Sequence, residues 1–307
     1  MKEKDFISVI KEIAGGEYIG DDCAYLKDLN IVVTQDSLVE GIHFSLDYTT
    51  PFELGYKSVM VNLSDVAASG AKAMYLTISL SVPVDIDTSF IKEFYKGAKS
   101  ACGDTVKIAG GDITGAGKIF ISVCAIGNAA DVRISSRKNA KFGYKIVVSG
   151  LHGSSAAGLK LLIQGRKHPE KFIKAHLMPI AQTDFAGEIS RKIDCDYAMM
   201  DTSDGLMDAL SAIANESSVS LDIDFDKIPF DNDLKQFENW RELVLFGGED
   251  YKIIAAVPDD FDCNGTVIGH VKQGSGIDLK INGCITHYSK EDIDNKIFDH
   301  FKNGEKK

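Results

Sequence analysis

The chain has 307 residues, of which 44% are hydrophobic and 26% are charged, values typical of a soluble globular protein long enough for two domains. Its 45 acidic and 34 basic residues give a net charge of −11, which disfavours partners that need cationic surfaces, namely nucleic acids and anionic membranes. No apolar run has the length of a signal peptide core or a membrane span, and none of the six cysteines forms a C-x-x-C pair. We therefore expect a cytoplasmic protein with reduced, mostly buried thiols and no zinc site.

The first half of the chain predicts alternating helices and strands. The central helix is the best marked, because Thr50 and Glu53 can form a capping box around Pro51, and Gly70 suits a left-handed stop. Apolar and polar residues alternate strictly in YLTISLSV, as in a half-buried strand. In chain order, the predicted elements are a helix over 5–13, a strand over 31–38, a helix over 50–70, a strand over 75–82, a helix over 87–101 and a strand over 118–127.

The polar stretch ADVRISSRKNAKFG, at 130–143, is the predicted domain boundary, and we divide the chain into 1–137 and 138–307. The irregular order of strands and helices favours an α+β or mixed α/β fold over a doubly wound parallel sheet. The second unit is predicted to contain a strand in KIVVSG, helices over 154–164 and 182–193, a strand over 197–201, a helix from Ser203, strands in LDIDF, EDYKIIAAV and TVIGHV, and a hairpin at Asn282-Gly283.

Acidic residues recur in six groups, most of them at predicted strand ends and four of them beside glycine. The groups are Gly20-Asp21-Asp22, Thr34-Gln35-Asp36, Asn62 with Asp65, Gly110-Gly111-Asp112, Asp201 to Gly205, and Gly247 to Asp250. Aspartate and glycine are common in turns, and Asp201 and Ser203 could cap the next helix. Asp65 lies on a mostly apolar helix, where a carboxylate needs a partner such as Lys57. The alternative to a set of turns is a cluster of oxygen ligands for Mg²⁺, which would remove the repulsion between carboxylates and a polyphosphate.

The segment VVSGLHGSSAAGLK, at 147–160, is nearly a phosphate-binding P-loop. Gly153 and Gly158 have the required spacing, but Leu159 stands where the lysine should be, and Lys160 comes one residue late. A nucleotide held by magnesium on aspartates does not need that lysine.

The acidic segments, in this order, resemble those of thiamine-monophosphate kinase, a family of the aminoimidazole ribonucleotide synthetase-like ATP-binding superfamily. The resemblance covers nearly the whole chain and includes the P-loop-like segment, for which it implies a glycine-rich turn that packs a helix closely against a strand. The matching stretches are GDDCAYL (20–26), TQDSLVEGIHF (34–44), YKSVMVNLSDVAASGA (56–71), GGDITGAG (110–117), SGLHGSSAAGLKLL (149–162), DTSDGL (201–206), FGGEDY (246–251) and IFDHF (297–301).

The resemblance implies that the γ-phosphoryl group of ATP is transferred directly to thiamine monophosphate, with several Mg²⁺ ions, to give thiamine diphosphate. It implies a homodimer built largely by residues 1–137, which bind ATP and magnesium, while 138–307 complete the active site. The implied metal ligands are Asp22, Thr34, Gln35, Asp36, Asp65, Asp112, Asp201 and Asp204. The implied ATP contacts are Tyr95, Gly111, Asp112, Arg137 and Ser203, and the implied contacts of thiamine monophosphate are His43, Glu249 and Phe298.

Several positions depart from the family pattern, and the run RKNAKFGYK (137–145) lacks the proline and the acid that usually follow the equivalent arginine. Gln35 replaces a hydroxyl residue, Met178 and Gln182 replace basic residues, and Phe298 replaces a tyrosine or tryptophan. The sister enzymes of the superfamily are disfavoured, because a selenophosphate synthetase would carry a reactive cysteine with a lysine before Gly20 and a hydrogenase-maturation protein would end in a cysteine. A sensor that binds Mg-ATP without turnover is the alternative from another class.

Overall fold

Two β-sheets, one in each half of the chain, organise the fold. The structure, a computed structural model, describes residues 3–298, with side chains from residue 5 onward. The helices are α1 (Glu3–Ala14), α2 (Pro51–Ala68), α3 (Thr88–Cys102), α4 (Ser154–Ile163), α5 (Glu170–Leu177), α6 (Thr183–Lys192), α7 (Leu206–Glu216), α8 (Trp240–Phe246) and α9 (Lys290–Asp294). The strands are β1 (Ala24–Leu26), β2 (Ile31–Val39), β3 (Lys72–Val82), β4 (Lys107–Gly115), β5 (Phe120–Asn128), β6 (Lys145–Val148), β7 (Ala198–Asp201), β8 (Ser220–Asp224), β9 (Ile253–Val257), β10 (Thr266–Lys272), β11 (Gly276–Ile281) and β12 (Cys284–Tyr288).

The first sheet has the strand order β1-β2-β5-β3-β4. Its neighbours pair antiparallel except β3 and β4, which run parallel. The alternation that predicted β3 is visible in the structure, where Leu76, Ile78 and Leu80 are buried in the core under α2 and α3. Apart from His43, which lies in a turn, the candidate site residues from Thr34 to Gly111 lie on the strands of this sheet or on the helices that cover it.

Helix α2 lies between the two halves of the chain. It packs on α3, β2 and β5 and also on α6 and β7 of the second half. Its predicted capping box is confirmed, because the Thr50 hydroxyl accepts from the Glu53 N–H and the Glu53 carboxylate accepts from the Thr50 N–H. The predicted left-handed residue after the helix is also confirmed, with φ +85° at Gly70. The position of α2 brings side chains of the first half to the strand ends of the second.

The second sheet has the order β12-β11-β8-β10-β6-β9-β7, and it is antiparallel except where β11 runs parallel to β8. The two mostly antiparallel sheets with interspersed helices confirm the mixed α/β prediction. The hairpin of β11 and β12 turns at Asn282 and Gly283, which both have positive φ, as predicted. The predicted boundary between residues 137 and 138 falls in the connection from β5 to β6, and it stays a prediction.

Several predicted elements differ from the structure. β1, β4, α5, α8 and α9 were not predicted, and Asp112 lies inside β4 rather than after a strand, because the parallel pairing with β3 continues to Gly115. β9 begins only at Ile253, since Glu249 and Tyr251 have positive φ. All six cysteines are unpaired, as predicted, but only Cys23 and Cys102 are buried. Within residues 3–298, no helix combines the length and the apolar character needed to cross a membrane.

Candidate active site

Three carboxylates from distant parts of the chain meet where the two halves touch. Asp22 precedes β1, Asp65 lies on α2, and Asp201 ends β7. One carboxylate oxygen from each lies within 4.8 Å of the others. We call these three side chains the carboxylate triad. Such a set of oxygen donors suits a hard divalent cation.

Short hydrogen bonds hold the triad in place. The Thr34 hydroxyl on β2 donates to Asp65 Oδ2 at 2.7 Å. The Ser64 hydroxyl on α2 donates to Asp201 Oδ2 at 2.5 Å, which ties the helix to β7. The Ser203 hydroxyl donates to Asp201 Oδ1 at 2.9 Å. Because α7 begins at Leu206 without a side-chain cap, the interpretation of Asp201 and Ser203 as helix caps is wrong.

Asp36 is the fourth member of the acidic environment. The side-chain carbonyl of Asn62, one turn before Asp65 on α2, accepts the backbone N–H of Asp36 at 3.1 Å and thereby joins β2 to the helix. Burial and the charge of Asp22 raise the pKa of Asp36 to about 6. The spacing of Asn62 and Asp65 noted in the sequence therefore places both on the side of α2 that faces the site, where Asn62 holds β2 and Asp65 joins the triad.

Burial, and after it the repulsion between neighbouring carboxylates, keeps the pKa values of the triad high. Burial and then Asp22 raise the pKa of Asp201 to about 7. Burial, then Asp36, Asp201 and Asp22, raise the pKa of Asp65 well above its ordinary value. Carboxylates arranged in this way are poorly compensated by the protein, and a bound cation would reverse the shift.

Arg137 forms an ion pair with one member of the triad. Its Nη2 donates to Asp22 Oδ1 at 3.0 Å, and its backbone N–H donates to Asp21 at 2.7 Å. Burial raises the pKa of Asp22, and Arg137 only partly opposes this. The Nε of Arg137 is buried and has no hydrogen-bond partner among residues 3–298, so this guanidinium can still donate to a ligand.

Three further predicted metal ligands, Gln35, Asp112 and Asp204, are not members of the triad. Gln35 alternates with Thr34 and Asp36 on β2, and its amide donates to the Ser122 hydroxyl at 3.0 Å. Asp112 is exposed on β4, three strands from β2, a span of about 14 Å at the usual strand spacing. Asp204 is exposed in the loop after β7. The structure brings neither Gln35 nor Asp112 into the triad, and their metal roles stay predictions.

Two predicted ATP contacts lie in the first sheet and its helices. Gly111 has φ +155°, and a Cβ there would lie 1.8 Å from the Ile78 carbonyl oxygen, so the pairing of β3 with β4 requires glycine. Tyr95 lies half-buried on α3, with its ring edge-on to Phe94. Their contacts with ATP stay predictions.

Glu249 is the centre of a second cluster beside the triad. Lys57 Nζ lies 2.8 Å from Glu249 Oε1, and His176 Nδ1 lies 3.3 Å from Oε2. Lys57 is therefore the partner of Glu249, and the sequence interpretation that paired it with Asp65 is wrong. Burial raises the pKa of Glu249, but the opposing effects of Lys57, His176 and His43 are larger together. The net pKa lies below its ordinary value, so the carboxylate is ionised near pH 7.

The other two predicted acceptor contacts are placed differently. His43 lies in the turn after β2, where its Nδ1 accepts the Val39 N–H at 2.9 Å, and it contributes to the lowered pKa of Glu249. The proton of the neutral His43 ring is then on Nε2. Phe298 follows α9 at the end of the described residues and is 60% exposed. Of the matching stretch IFDHF, residues 299–301 lie outside the described residues.

The glycine-rich turn before α4 binds a carboxylate of the chain itself. Asp250 accepts the Gly153 N–H at 2.5 Å and the Ser155 N–H at 2.8 Å. A Cβ at Gly158 would lie 2.0 Å from the Phe172 carbonyl oxygen in α5. The small residues therefore allow close packing, but the prediction of a strand as the partner is wrong, because the partner is a helix.

Sequence reasoning missed the role of several residues around Glu249. Lys57 is 2% exposed in the structure. It is the one lysine in the mostly apolar sequence of α2, and that pattern is the sequence signal for a buried ion pair. His176 is equally buried, and no local pattern singles it out. Tyr48 and Tyr251 interact with this carboxylate as well, since burial and then the charge of Glu249 raise their pKa values.

Comparison with known proteins agrees with this geometry. A family model described as AIR synthase related protein, N-terminal domain, matches residues 20–129. A thiamine-monophosphate kinase from Aquifex aeolicus is 36% identical over 292 residues, which cover 90% of this chain and 93% of that protein. The solved structure of AaThiL complexed with AMPPCP and TMP has a TM-score of 0.87 at 33% identity and covers 98% of this chain and 97% of that chain.

The hydrogenase maturation protein HypE in complex with ATP is similar in fold alone, with a TM-score of 0.71 at 17% identity over 92% of this chain and 94% of that chain. The match to the Aquifex aeolicus protein, in contrast, extends over nearly the full length of both sequences at 36% identity. This chain belongs to the thiamine-monophosphate kinase family.

Proposed function

We propose that the protein transfers the γ-phosphoryl group of ATP to thiamine monophosphate and forms thiamine diphosphate and ADP. A terminal oxygen of the acceptor phosphate attacks the γ-phosphorus, and the bond from that phosphorus to the β,γ-bridging oxygen breaks. The observation that carries the proposal is the meeting of Asp22, Asp65 and Asp201 within 4.8 Å, beside an ionised Glu249. Membership of the thiamine-monophosphate kinase family supports it, as does the similar AaThiL complex with AMPPCP, an ATP analogue.

The donor chemistry of the triad fits Mg²⁺. Oxygen atoms of Asp22, Asp65 and Asp201, together with the carboxylate of Asp36 and the hydroxyl of Thr34, are the ligands that would hold it. Burial and neighbouring carboxylates raise the pKa values of Asp36, Asp65 and Asp201, and bound Mg²⁺ would lower them again. Bound Mg²⁺ would neutralise phosphate charge and stabilise the transferring group.

The chain itself supplies cations and donors around the nucleotide. Arg137 holds Asp22 through Nη2 and keeps a buried Nε proton for a phosphate oxygen. Ser203 lies beside Asp201, where its hydroxyl can turn from the carboxylate to a ligand. Tyr95 and Gly111 complete the ATP contacts that the family resemblance implies.

The acceptor site needs one group for the phosphate and another for the cationic ring. His43 can donate from Nε2 to a phosphate oxygen while Val39 holds Nδ1. The ionised carboxylate of Glu249 attracts the thiazolium, and Phe298 supplies an aromatic face. These roles place the acceptor between the end of β2 and the loop before β9.

The functional form is a homodimer built by the first sheet. β4 is an edge strand that is exposed along nearly its whole length, and Ile113 on it is 59% exposed, an arrangement that a second copy would cover. Asp112, three strands from Asp36 in its own sheet, would then reach the metal site of the partner subunit. Residues 138–307 complete each site with Asp201 and Glu249. The six unpaired cysteines support a cytoplasmic location.

Product identification tests the function. The purified protein is incubated with Mg-ATP and thiamine monophosphate, and products are separated by chromatography and identified by mass spectrometry. We expect equal amounts of thiamine diphosphate and ADP, and neither when EDTA is in excess. If Mg-ATP binds but no thiamine diphosphate forms, the protein is a sensor or has another acceptor.

A separate experiment tests whether Asp112 contributes to the metal site of the partner subunit. Asp65→Asn and Asp112→Asn chains are co-expressed, and each variant is expected to be inactive when it is expressed alone. If Asp112 acts across the dimer, the mixed dimer contains one intact site and regains activity. If both residues act within one chain, the mixture stays inactive.

A further inference from the structure

A fully buried lysine crosses between the two halves of the chain and ends on Glu249. Lys57 lies on α2, and its side chain is 2% exposed. Its Nζ lies 2.8 Å from Glu249 Oε1, a residue of the second half that is 26% exposed. A lysine is almost never fully buried unless it is paired with an acid. Here the positive charge of Lys57 is paired with the carboxylate of Glu249.

The second oxygen of that carboxylate has its own partner. His176 on α5 is 2% exposed, and its Nδ1 lies 3.3 Å from Glu249 Oε2 and 3.0 Å from the Ser155 hydroxyl. Burial and then Lys57 lower the pKa of His176 to about 4, so the ring is neutral near pH 7. Lys57 therefore supplies the full positive charge that balances Glu249 in this cluster, and His176 fixes the other end of the carboxylate.

The backbone of Glu249 is held as firmly as its side chain. Glu249 has φ +64°, an unfavourable conformation for a residue with a side chain. Its N–H donates to the carbonyl of Ser203, two residues after Asp201, at 2.6 Å. A strained residue at a functional place persists when its surroundings fix it from several directions. Here the surroundings are Lys57, His176 and the loop that carries Asp201.

Two tyrosines and a histidine interact electrostatically with the same carboxylate. Burial and then Glu249 raise the pKa values of Tyr48 and Tyr251, and His43 acts on Glu249 in turn. A fixed anion among rings is an arrangement that binds a planar cation. The pair of Lys57 and Glu249 has no net charge, so its orientation, and not an excess of negative charge, must supply the selectivity.

We propose that Lys57 is a positioning residue for the acceptor: its ammonium group orients the Glu249 carboxylate toward the cationic ring, and it does not bind phosphate. This inference rests on the proposed function, and in it Lys57 affects the binding of the acceptor only through Glu249. A lysine that bound the nucleotide would act independently of Glu249 and would change the KM for ATP.

The test compares E249Q, K57M and the double variant K57M/E249Q, with K160M as the matched lysine control. Lys160 donates a hydrogen bond to Asn239 Oδ1 at 3.0 Å, and the ammonium that pairs with Glu249 is that of Lys57. KM and kcat are measured separately for thiamine monophosphate and for ATP. We expect E249Q and K57M each to raise the KM for thiamine monophosphate tenfold or more and to leave the KM for ATP within twofold.

The double variant remains informative if K57M, which leaves a carboxylate without its counter-charge, does not fold. It removes both charges, and we expect its KM for thiamine monophosphate to equal that of E249Q within twofold, because Lys57 acts only through Glu249. A double variant that is tenfold worse than E249Q in kcat or in the KM for ATP would overturn the proposal. An unchanged KM for thiamine monophosphate in E249Q, or a lowered one in K57M, would also overturn it.

Failure of the proposed function gives a different result. If wild-type protein forms no thiamine diphosphate, the acceptor itself is wrong, and isothermal titration with unphosphorylated thiamine decides the role of Lys57. Tight binding that E249Q and K57M/E249Q weaken equally supports the positioning role. Binding that is unchanged in both variants removes it.

Discussion

Asp65→Asn should stabilise the metal-free protein and abolish its activity. Asp65 lies at the centre of the acidic environment, with its Oδ2 accepting the Thr34 hydroxyl at 2.7 Å. Asparagine has nearly the same volume and keeps an oxygen that can accept this bond. The substitution therefore removes a charge and leaves the packing of α2 unchanged.

The magnitude follows from the distances within the triad. Two unit charges 4.8 Å apart, the limit for Asp65 with Asp22 or Asp201, repel by about 3.5 kcal/mol at an effective dielectric constant of about 20. The carboxyl groups escape part of this repulsion by binding protons, as their raised pKa values indicate. We therefore expect a gain of about 1–3 kcal/mol in the free energy of unfolding at pH 8, or a few degrees in Tm.

The activity should change in the opposite direction. Loss of one charged ligand at a phosphoryl-transfer site should lower kcat by about 10³-fold or more. Thermal unfolding is measured in EDTA and in Mg²⁺ for wild type, for Asp65→Asn and for Asp28→Asn, an exposed carboxylate outside the triad, as control. Mg²⁺ should raise the Tm of wild type and of the control but not of Asp65→Asn. A less stable Asp65→Asn protein in EDTA, or one with wild-type turnover, would refute the reasoning.

Three further predictions concern the same regions. Burial raises the pKa values of Asp36 and Asp250 to about 6 and that of Asp201 to about 7, and that of Asp65 is raised as well, whereas burial lowers the pKa values of His152 and His176 to about 3 and about 4. The four carboxyl groups outnumber the two histidines, so the folded protein binds more protons than the unfolded chain between about pH 4 and 6, and in EDTA the free energy of unfolding from urea titrations should fall as pH rises through that window. Mg²⁺ should restore it at pH 8, and stability that rises with pH in EDTA would contradict this. Lys160→Met should leave the KM for ATP within about twofold, because Lys160 donates to Asn239 and the glycine-rich turn is no P-loop; a large rise in that KM would restore the P-loop hypothesis. Asp250→Ala should cost about 1–2 kcal/mol in urea unfolding, since it uncaps α4, and an unchanged midpoint would show that the cap contributes nothing.

The sequence by itself predicted most of the elements, because their signals are local. The capping box of α2, the alternation in β3 and the Asn282-Gly283 turn each depend on residues only a few positions apart. The family resemblance was carried by the order of the acidic motifs and is confirmed by the similarity to the Aquifex aeolicus protein. β4 escaped prediction, since its glycines and exposed polar residues do not have the pattern of a strand.

Only the tertiary structure decided which of the acids meet. Asp22, Asp65 and Asp201 come together because α2 packs against both sheets, and nothing local in the chain specifies that crossing. Asp112 carries the same motif of glycine and acid, yet the strand order separates it from them. The pairing of Lys57 with Glu249 likewise joins residues 192 positions apart in sequence. Local patterns fix helices and turns, but the burial of apolar faces determines which distant charges must balance one another, and that is a property of the whole fold.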